Sequence, residues 1–191
     1  MTDQDVLQLF LDTKAFLKGH FELRSGLHSD QFFQCAKVLQ HPKFAQQLCV
    51  ALAAKLRKAQ PGLPVDGVIS PAMGGLFVGH ELAKALDVVS IFAEKQDGAL
   101  VLRRGFDIAR GASYVVAEDV ITRGGRVQET IDIVEARGGK VAAVAVLVDR
   151  SGGKVGFSHP TISLLAMEPV TFDPAKCPLC AKGLPVEHPG S

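Results

Sequence analysis

Apolar positions along the chain follow two rhythms. Near the N-terminus Val6, Leu9, Phe10 and Leu17 recur at helical spacing, which predicts an amphipathic helix over residues 3–18, ended by Gly19. His20 to Leu23 reads as extended, Ser25-Gly26 as a turn, and Gln31 to Cys35 as extended again. Pro42 suits the first turn of a second helix over 42–60, with Phe44, Leu48, Leu52 and Leu56 on one face. Pro61-Gly62-Leu63-Pro64 breaks it.

From there short apolar runs alternate with helical stretches. Strands are predicted at Val65 to Ser70, Val88 to Ala93, Ser113 to Ala117, Val141 to Val148 and Thr161 to Ala166. Helices are predicted from Gly74-Gly75 to Leu86 and from Gly124-Gly125 to Arg137, the second with Val127, Ile131 and Val134 on one face. Asp97-Gly98 is a turn between the second of these strands and Ala99 to Leu102, giving a hairpin or a two-armed loop. Such alternation predicts an α/β domain with a parallel sheet and helices on both faces. Five prolines from Pro169 to Pro189 predict an ordered but irregular tail.

Length and charge narrow the reading further. The 191 residues suit one domain, and 47% hydrophobic with 21% charged residues exclude a disordered chain. The longest apolar run, Val141 to Val148, is too short to span a bilayer, and no basic-then-apolar leader pattern opens the chain. With 21 Lys plus Arg against 20 Asp plus Glu, nothing general attracts nucleic acid or an anionic membrane, so any affinity for an anion must be local. Four cysteines, Cys35, Cys49, Cys177 and Cys180, are too sparse for a disulfide scaffold, and a reducing cytoplasm is expected.

Chemistry concentrates in Tyr114-Val115-Val116-Ala117-Glu118-Asp119-Val120-Ile121-Thr122-Arg123-Gly124-Gly125-Arg126. An apolar strand runs into two adjacent carboxylates, then a Thr- and Gly-bearing loop, then a helix. Ligands of open parallel sheets bind beyond the carboxyl ends of strands. The glycines let backbone N–H groups turn inward, and the helix N-terminus behind them favours a phosphate. Carboxylates repel phosphate but accept from hydroxyls, so a sugar phosphate satisfies both halves. An isolated acidic pair would be read as a strand end and helix cap; the complete pattern favours the ligand site.

Val116 to Gly125 of this segment resembles the phosphoribosyl-diphosphate signature of type I phosphoribosyltransferases. Phe21-Glu22-Leu23-Arg24-Ser25-Gly26-Leu27-His28-Ser29-Asp30-Gln31-Phe32-Phe33 resembles the substrate segment of orotate phosphoribosyltransferases, and Val148-Asp149-Arg150 their Asp-Arg pair after the next strand. With Cys177-Pro178-Leu179-Cys180 included, the resemblance covers nearly the whole chain and is nearest to the bacterial branch first recognised in Thermus-like sequences.

The resemblance implies a type I phosphoribosyltransferase fold: one domain over 1–191, with a core over about 41–166 and a small hood from about 1–40 plus part of the tail. It implies transfer of phosphoribosyl from 5-phosphoribosyl 1-diphosphate to orotate in pyrimidine synthesis, Mg²⁺ held mainly by substrate oxygens, and a cytoplasmic homodimer. Glu118 and Asp119 match the ribose-binding acids, with Asp119 also placed in catalysis; Val120, Ile121, Thr122, Arg123, Gly124, Gly125 and Arg126 match the 5′-phosphate loop. Arg126 stands where the family more often has Ser, Thr or Ala, and solvent is its favoured direction. Ser70-Pro71-Ala72-Met73-Gly74-Gly75 matches the pyrophosphate loop, with Met73-Gly74 where many members carry Tyr-Lys. Arg24, Phe32, Phe33, Thr122 and Arg150 are the expected orotate contacts, one of the two phenylalanines facing ligand and the other packing inward. His28, within the same segment, is a further candidate to line the site. The segment from Glu94 to Phe106 is expected to be a mobile lid serving a neighbouring subunit, with Lys95, Arg103 and Arg104 neutralising pyrophosphate.

Cys177 and Cys180 admit three readings. They are half of a zinc site, with His188 the one nearby candidate to add; a redox pair; or two reduced, packed thiols, the reading favoured here, so no protein metal site is assigned. A phosphoribosyltransferase for another base is the main alternative function, because the phosphate loop is shared across the superfamily. A nucleic-acid-binding regulator of the same fold would need a basic stripe that this sequence lacks.

Overall fold

A computed structural model describes residues 1–23, 25–168 and 170–189. In chain order the elements are α1 (Asp3–Asp12), β1 (Phe16–Glu22), β2 (His28–Phe33), α2 (Ala36–Leu39), α3 (Pro42–Ala59), β3 (Gly67–Pro71), α4 (Gly74–Leu86), β4 (Val89–Gln96), β5 (Ala99–Leu102), β6 (Ser113–Ile121), α5 (Gly125–Ala136), β7 (Lys140–Asp149), β8 (Thr161–Ala166) and β9 (Thr171–Phe172). A 3₁₀ turn (Pro174–Lys176) and a one-turn helix, α6 (Pro178–Ala181), follow.

The first helix is shorter than its apolar spacing predicts. Thr2 and Asp5 form a reciprocal capping box at its start. At its end the Thr13 hydroxyl donates to the Leu9 carbonyl at 2.7 Å, and Lys14 adopts φ 54°. The chain reverses there, and Phe16 enters a strand. Leu17, which completes the helical spacing in sequence, therefore belongs to β1, and Gly19 lies inside that strand beside a bulge rather than at a helix end. A Cβ on Gly19 would meet the Phe21 ring at 2.8 Å.

Two sheets result. β1, β2 and β9 form a small antiparallel sheet, the hood, which joins both ends of the chain. The main sheet has the order β5-β4-β3-β6-β7-β8, parallel except for the β4–β5 hairpin. α3 and α4 pack on one face, with Leu48, Leu52, Leu56, Val78 and Leu82 against Val68, Val115 and Ala145. On the other face α5 sets Val127, Ile131 and Val134 against Ile69, Val116 and Val144. Cover on both faces explains why Val115 to Ala117 and Ala143 to Val148 are buried without alternation.

This topology locates the crevice. From β3 the chain crosses through α4 to β4 on one side; from β6 it crosses through α5 to β7 on the other. Strand order therefore reverses between β3 and β6, and ligands of open sheets bind beyond the carboxyl ends at such a switch point.

Candidate active site

At that point β6 delivers Glu118 and Asp119, and β3 delivers the turn before α4. Glu118 is 6% exposed. Its Oε1 accepts from the Asp119 N–H at 3.1 Å, and Asp119 Oδ1 accepts from the Val120 N–H at 2.8 Å. Burial, followed by the Asp119 charge, holds the Glu118 carboxyl well above its ordinary pKa. Asp119 is also raised by burial, with hydrogen bonds opposing the shift. Two crowded carboxylates in a site away from water hold a proton between them more readily than either would alone.

The turn after β3 closes directly over this pair. A Cβ on Gly74 would lie 2.9 Å from both Asp119 carboxylate oxygens, and one on Gly75 2.8 Å from Glu118 Oε1. Glycine at these positions lets backbone approach the acids, so the expected ribose site and pyrophosphate loop are brought together. Met73 itself is 78% exposed, and α4 begins at Gly74.

Beyond the acids, Thr122 and Arg123 are exposed, and Gly124 caps α5 in the left-handed conformation at φ 76°. A Cβ there would also strike Val155 at 2.6 Å, so both conformation and packing select glycine. Around a Cβ on Gly125 the space is open, leaving the N-terminus of α5 accessible to an anion. Arg126 is exposed and lies 3.8 Å from Glu129, in line with its expected solvent direction.

The hood closes the third side. Arg150 is 8% exposed at the end of β7, its backbone N–H donating to the Ile121 carbonyl at 2.8 Å and its guanidinium 5.1 Å from the Phe33 ring centroid. Phe33 packs inward against Phe16 and Phe10, whereas Phe32 is half-buried beside Phe21. Cys35, at the start of α2, places its thiol 3.9 Å from the Asp119 carbonyl; burial and the Asp119 charge raise its pKa well above normal. Sequence offers no signal for that contact, which joins α2 to β6. Arg24 lies outside the described residues.

The segment expected to act as a lid contains the β4–β5 hairpin, an antiparallel extension of the main sheet. Lys95 pairs with Leu100 across it and is exposed. Arg104, at φ 61°, lies 2.9 Å from Glu94 and 5.6 Å from the Phe92 ring centroid, and Arg103 lies 3.8 Å from Glu94. Lys95, Arg103 and Arg104 thus stand on one hairpin, but Glu94 already offsets part of the arginine charge within the chain. His28 does not face the acids: its ring is buried, 2.8 Å from His20 and 3.4 Å from Cys180.

Residues 35–168 match the family model described as a phosphoribosyl transferase domain. The chain is 49% identical to an orotate phosphoribosyltransferase of Caldicellulosiruptor bescii over 100% of this chain and 98% of the relative. It is 50% identical to one of Heliobacterium modesticaldum, over 100% and 99%. Among solved structures, the orotate phosphoribosyltransferase of Aeropyrum pernix superposes with a TM-score of 0.70 at 22% identity, covering 85% of this chain and 93% of that one. An adenine phosphoribosyltransferase of Thermoanaerobacter pseudethanolicus gives 0.61 at 22% identity, covering 72% and 88%. These structural likenesses establish the fold, which enzymes of different base specificity share. Full-length identity near one half, with the acid pair seated against the β3 turn, places this chain in the orotate phosphoribosyltransferase family, on the type I phosphoribosyltransferase fold.

Proposed function

We infer that this chain transfers the phosphoribosyl group of 5-phosphoribosyl 1-diphosphate to N1 of orotate, giving orotidine 5′-monophosphate and pyrophosphate. The observation that carries the reading is the acid pair at the switch point, with Gly74 and Gly75 against it and Arg150 beneath the hood.

In this reading Glu118 and Asp119 accept from the ribose 2′- and 3′-hydroxyls, and their charge favours the oxocarbenium-like ribose as its bond to pyrophosphate breaks. Backbone N–H groups of the Thr122–Gly125 loop and the start of α5 hold the 5′-phosphate. Backbone donors at Gly74 and Gly75 face the pyrophosphate. Arg150 meets the carboxylate or carbonyl edge of orotate with its planar fork. Positioning of the two substrates accounts for much of the rate, because little covalent chemistry falls to the protein.

Mg²⁺ belongs to the same proposal. The available protein donors, the carboxylates of Glu118 and Asp119, are hard oxygen ligands few in number, which suits an ion that retains waters and leans on substrate oxygens. When bound, it supplies charge that offsets the departing pyrophosphate. A homodimer is also proposed, in which Lys95, Arg103 and Arg104 serve the partner's pyrophosphate site. The chemistry calls for it: Met73-Gly74 brings no cation to the leaving group. A cytoplasmic setting fits four free cysteines. Among the described residues no helix is long and apolar enough to cross a membrane.

The test offers orotate, uracil, adenine, hypoxanthine and xanthine separately, with Mg²⁺ and 5-phosphoribosyl 1-diphosphate, and measures pyrophosphate release. Orotate alone should turn over efficiently, since a site that pairs its carboxylate leaves donors unmatched with uracil. Equal use of uracil and orotate would remove the base assignment, and preference for a purine would replace it with a phosphoribosyltransferase for another base.

A further inference from the structure

The C-terminal tail is held to the hood by very little apolar packing. From Thr171 to Pro189, Cys177 is the sole buried residue. The backbone makes a few ties, among them Glu22 N–H to the Glu187 carbonyl at 3.0 Å and Glu187 N–H to the His20 carbonyl at 2.8 Å. A two-residue strand and a one-turn helix need a stronger anchor.

Four side chains converge where one would sit. His20 comes from β1, His28 from the start of β2, and Cys177 and Cys180 from the tail. Their ligand atoms all lie within 4.8 Å of one another. Cys177 Sγ lies 3.5 Å from His20 Nε2; Cys180 Sγ lies 3.7 Å from the same nitrogen and 3.4 Å from His28 Nδ1. The two imidazoles are 2.8 Å apart.

We propose that His20, His28, Cys177 and Cys180 bind a structural zinc ion. Tetrahedral zinc bonds of about 2.0–2.1 Å to nitrogen and 2.3 Å to sulfur require N···S separations of about 3.6 Å. The three N···S distances straddle that value. The N···N distance must open by about 0.5 Å from a hydrogen bond to a ligand pair, since tetrahedral geometry asks for about 3.3 Å. His20 Nδ1 lies 2.9 Å from the Leu184 carbonyl, which only accepts, so the proton sits on Nδ1 and the Nε2 lone pair faces the cluster. Such an outer hydrogen bond fixes and strengthens a metal-ligating histidine.

Binding forms two Zn–S and two Zn–N bonds. Each thiol loses its proton to solvent, and the His28 proton moves from Nδ1 to Nε2, so two protons leave and the filled site is neutral. Two sulfurs and two nitrogens in a tetrahedron favour zinc over hard cations. All four positions are taken by protein, which makes the site a staple rather than a reactive centre. It fastens the tail to β1 and β2, the two strands over which the orotate segment runs. The sequence hides it because the histidines and cysteines lie about 150 residues apart and the nearer His188 draws attention instead.

Full-length protein is purified under reducing conditions, equilibrated with buffered zinc and measured for metal per chain. One zinc per chain is expected, falling to near zero in Cys177→Ser and Cys180→Ser and unchanged in His188→Ala. Cobalt in place of zinc should give the intense thiolate-to-metal absorption and tetrahedral ligand-field bands, both lost in Cys180→Ser. Since Cys180 is exposed and in the tail, circular dichroism should find that variant folded, and a chelator should lower the parent's Tm but not the variant's. Reduced parent protein that takes up no zinc overturns the proposal, as do serine variants that keep the parent's metal content.

Discussion

Glu118→Gln should make the protein more stable and less active, and the gain should grow with pH. In the parent, Glu118 is buried beside Asp119, and ionising both places two like charges in a site with little water. The amide keeps what the structure uses: Gln Oε1 still accepts from the Asp119 N–H, a bond of 3.1 Å in the parent. Its NH₂ adds a donor that can meet the Asp119 carboxylate, as the parent's carboxyl does only when protonated. A hydrogen bond to a charged acceptor contributes about 1.5–3 kcal/mol. For a domain of this size that corresponds to a Tm rise of roughly 3–12 °C.

The pH dependence has a fixed sign. A carboxyl whose folded pKa is raised binds protons more tightly in the native state than in the unfolded chain, where its ordinary value is 4.5. The parent therefore loses stability as pH rises from about 4.5 towards that raised value, and the glutamine variant escapes this loss. Thermal melts of both proteins at pH 5 and pH 8, without substrate, should give a difference that is small at pH 5 and several degrees at pH 8. Turnover at pH 8 should fall by about 10²-fold, because an amide has no proton to give up when positive charge develops on the ribose, whereas the carboxyl can ionise to oppose it. A variant less stable than the parent at pH 8, or one whose advantage shrinks with rising pH, would refute the account of this site.

Asp119→Asn should cost about 10²–10³ in kcat/KM and Thr122→Ala less than about tenfold, since backbone donors support the loop that Thr122 shares; steady-state kinetics with the reverse order would overturn the role assignment. Gly74→Ala should lower kcat/KM by at least about tenfold, because a Cβ 2.9 Å from the Asp119 oxygens pushes that carboxylate out of place; its Tm should change by only a few degrees, and an unaffected kcat/KM would show the approach to be unimportant. Arg104→Ala should lower kcat while changing stability by less than about 1 kcal/mol, as expected for an exposed pair with Glu94. Mixed with Asp119→Asn under proven subunit exchange, it should regain part of the lost activity, and failure to do so would remove the cross-subunit role.

The main sheet is legible in the chain because its signals are local. Val141 to Val148 is continuously apolar, and its burial on both faces is the sole setting such a strand tolerates. Glu118, Asp119 and Gly124-Gly125 are likewise readable, since strand, acids, loop and helix are consecutive and the sheet direction alone puts them at the ligand-binding end. Leu17 misleads, because helical spacing on its own cannot register that Lys14 turns the chain and sends Phe16 into a strand.

What the tertiary structure decided is everything carried by distant pairs. Gly74 against Asp119, Cys35 beneath the Asp119 carbonyl and Arg150 over Phe33 join segments far apart in sequence. The largest such step brings His20 and His28 to Cys177 and Cys180. Periodicity and motif spacing report which face a residue occupies on its own element. Which elements meet depends on strand order and on how the hood folds over it, and those follow from packing the whole chain at once.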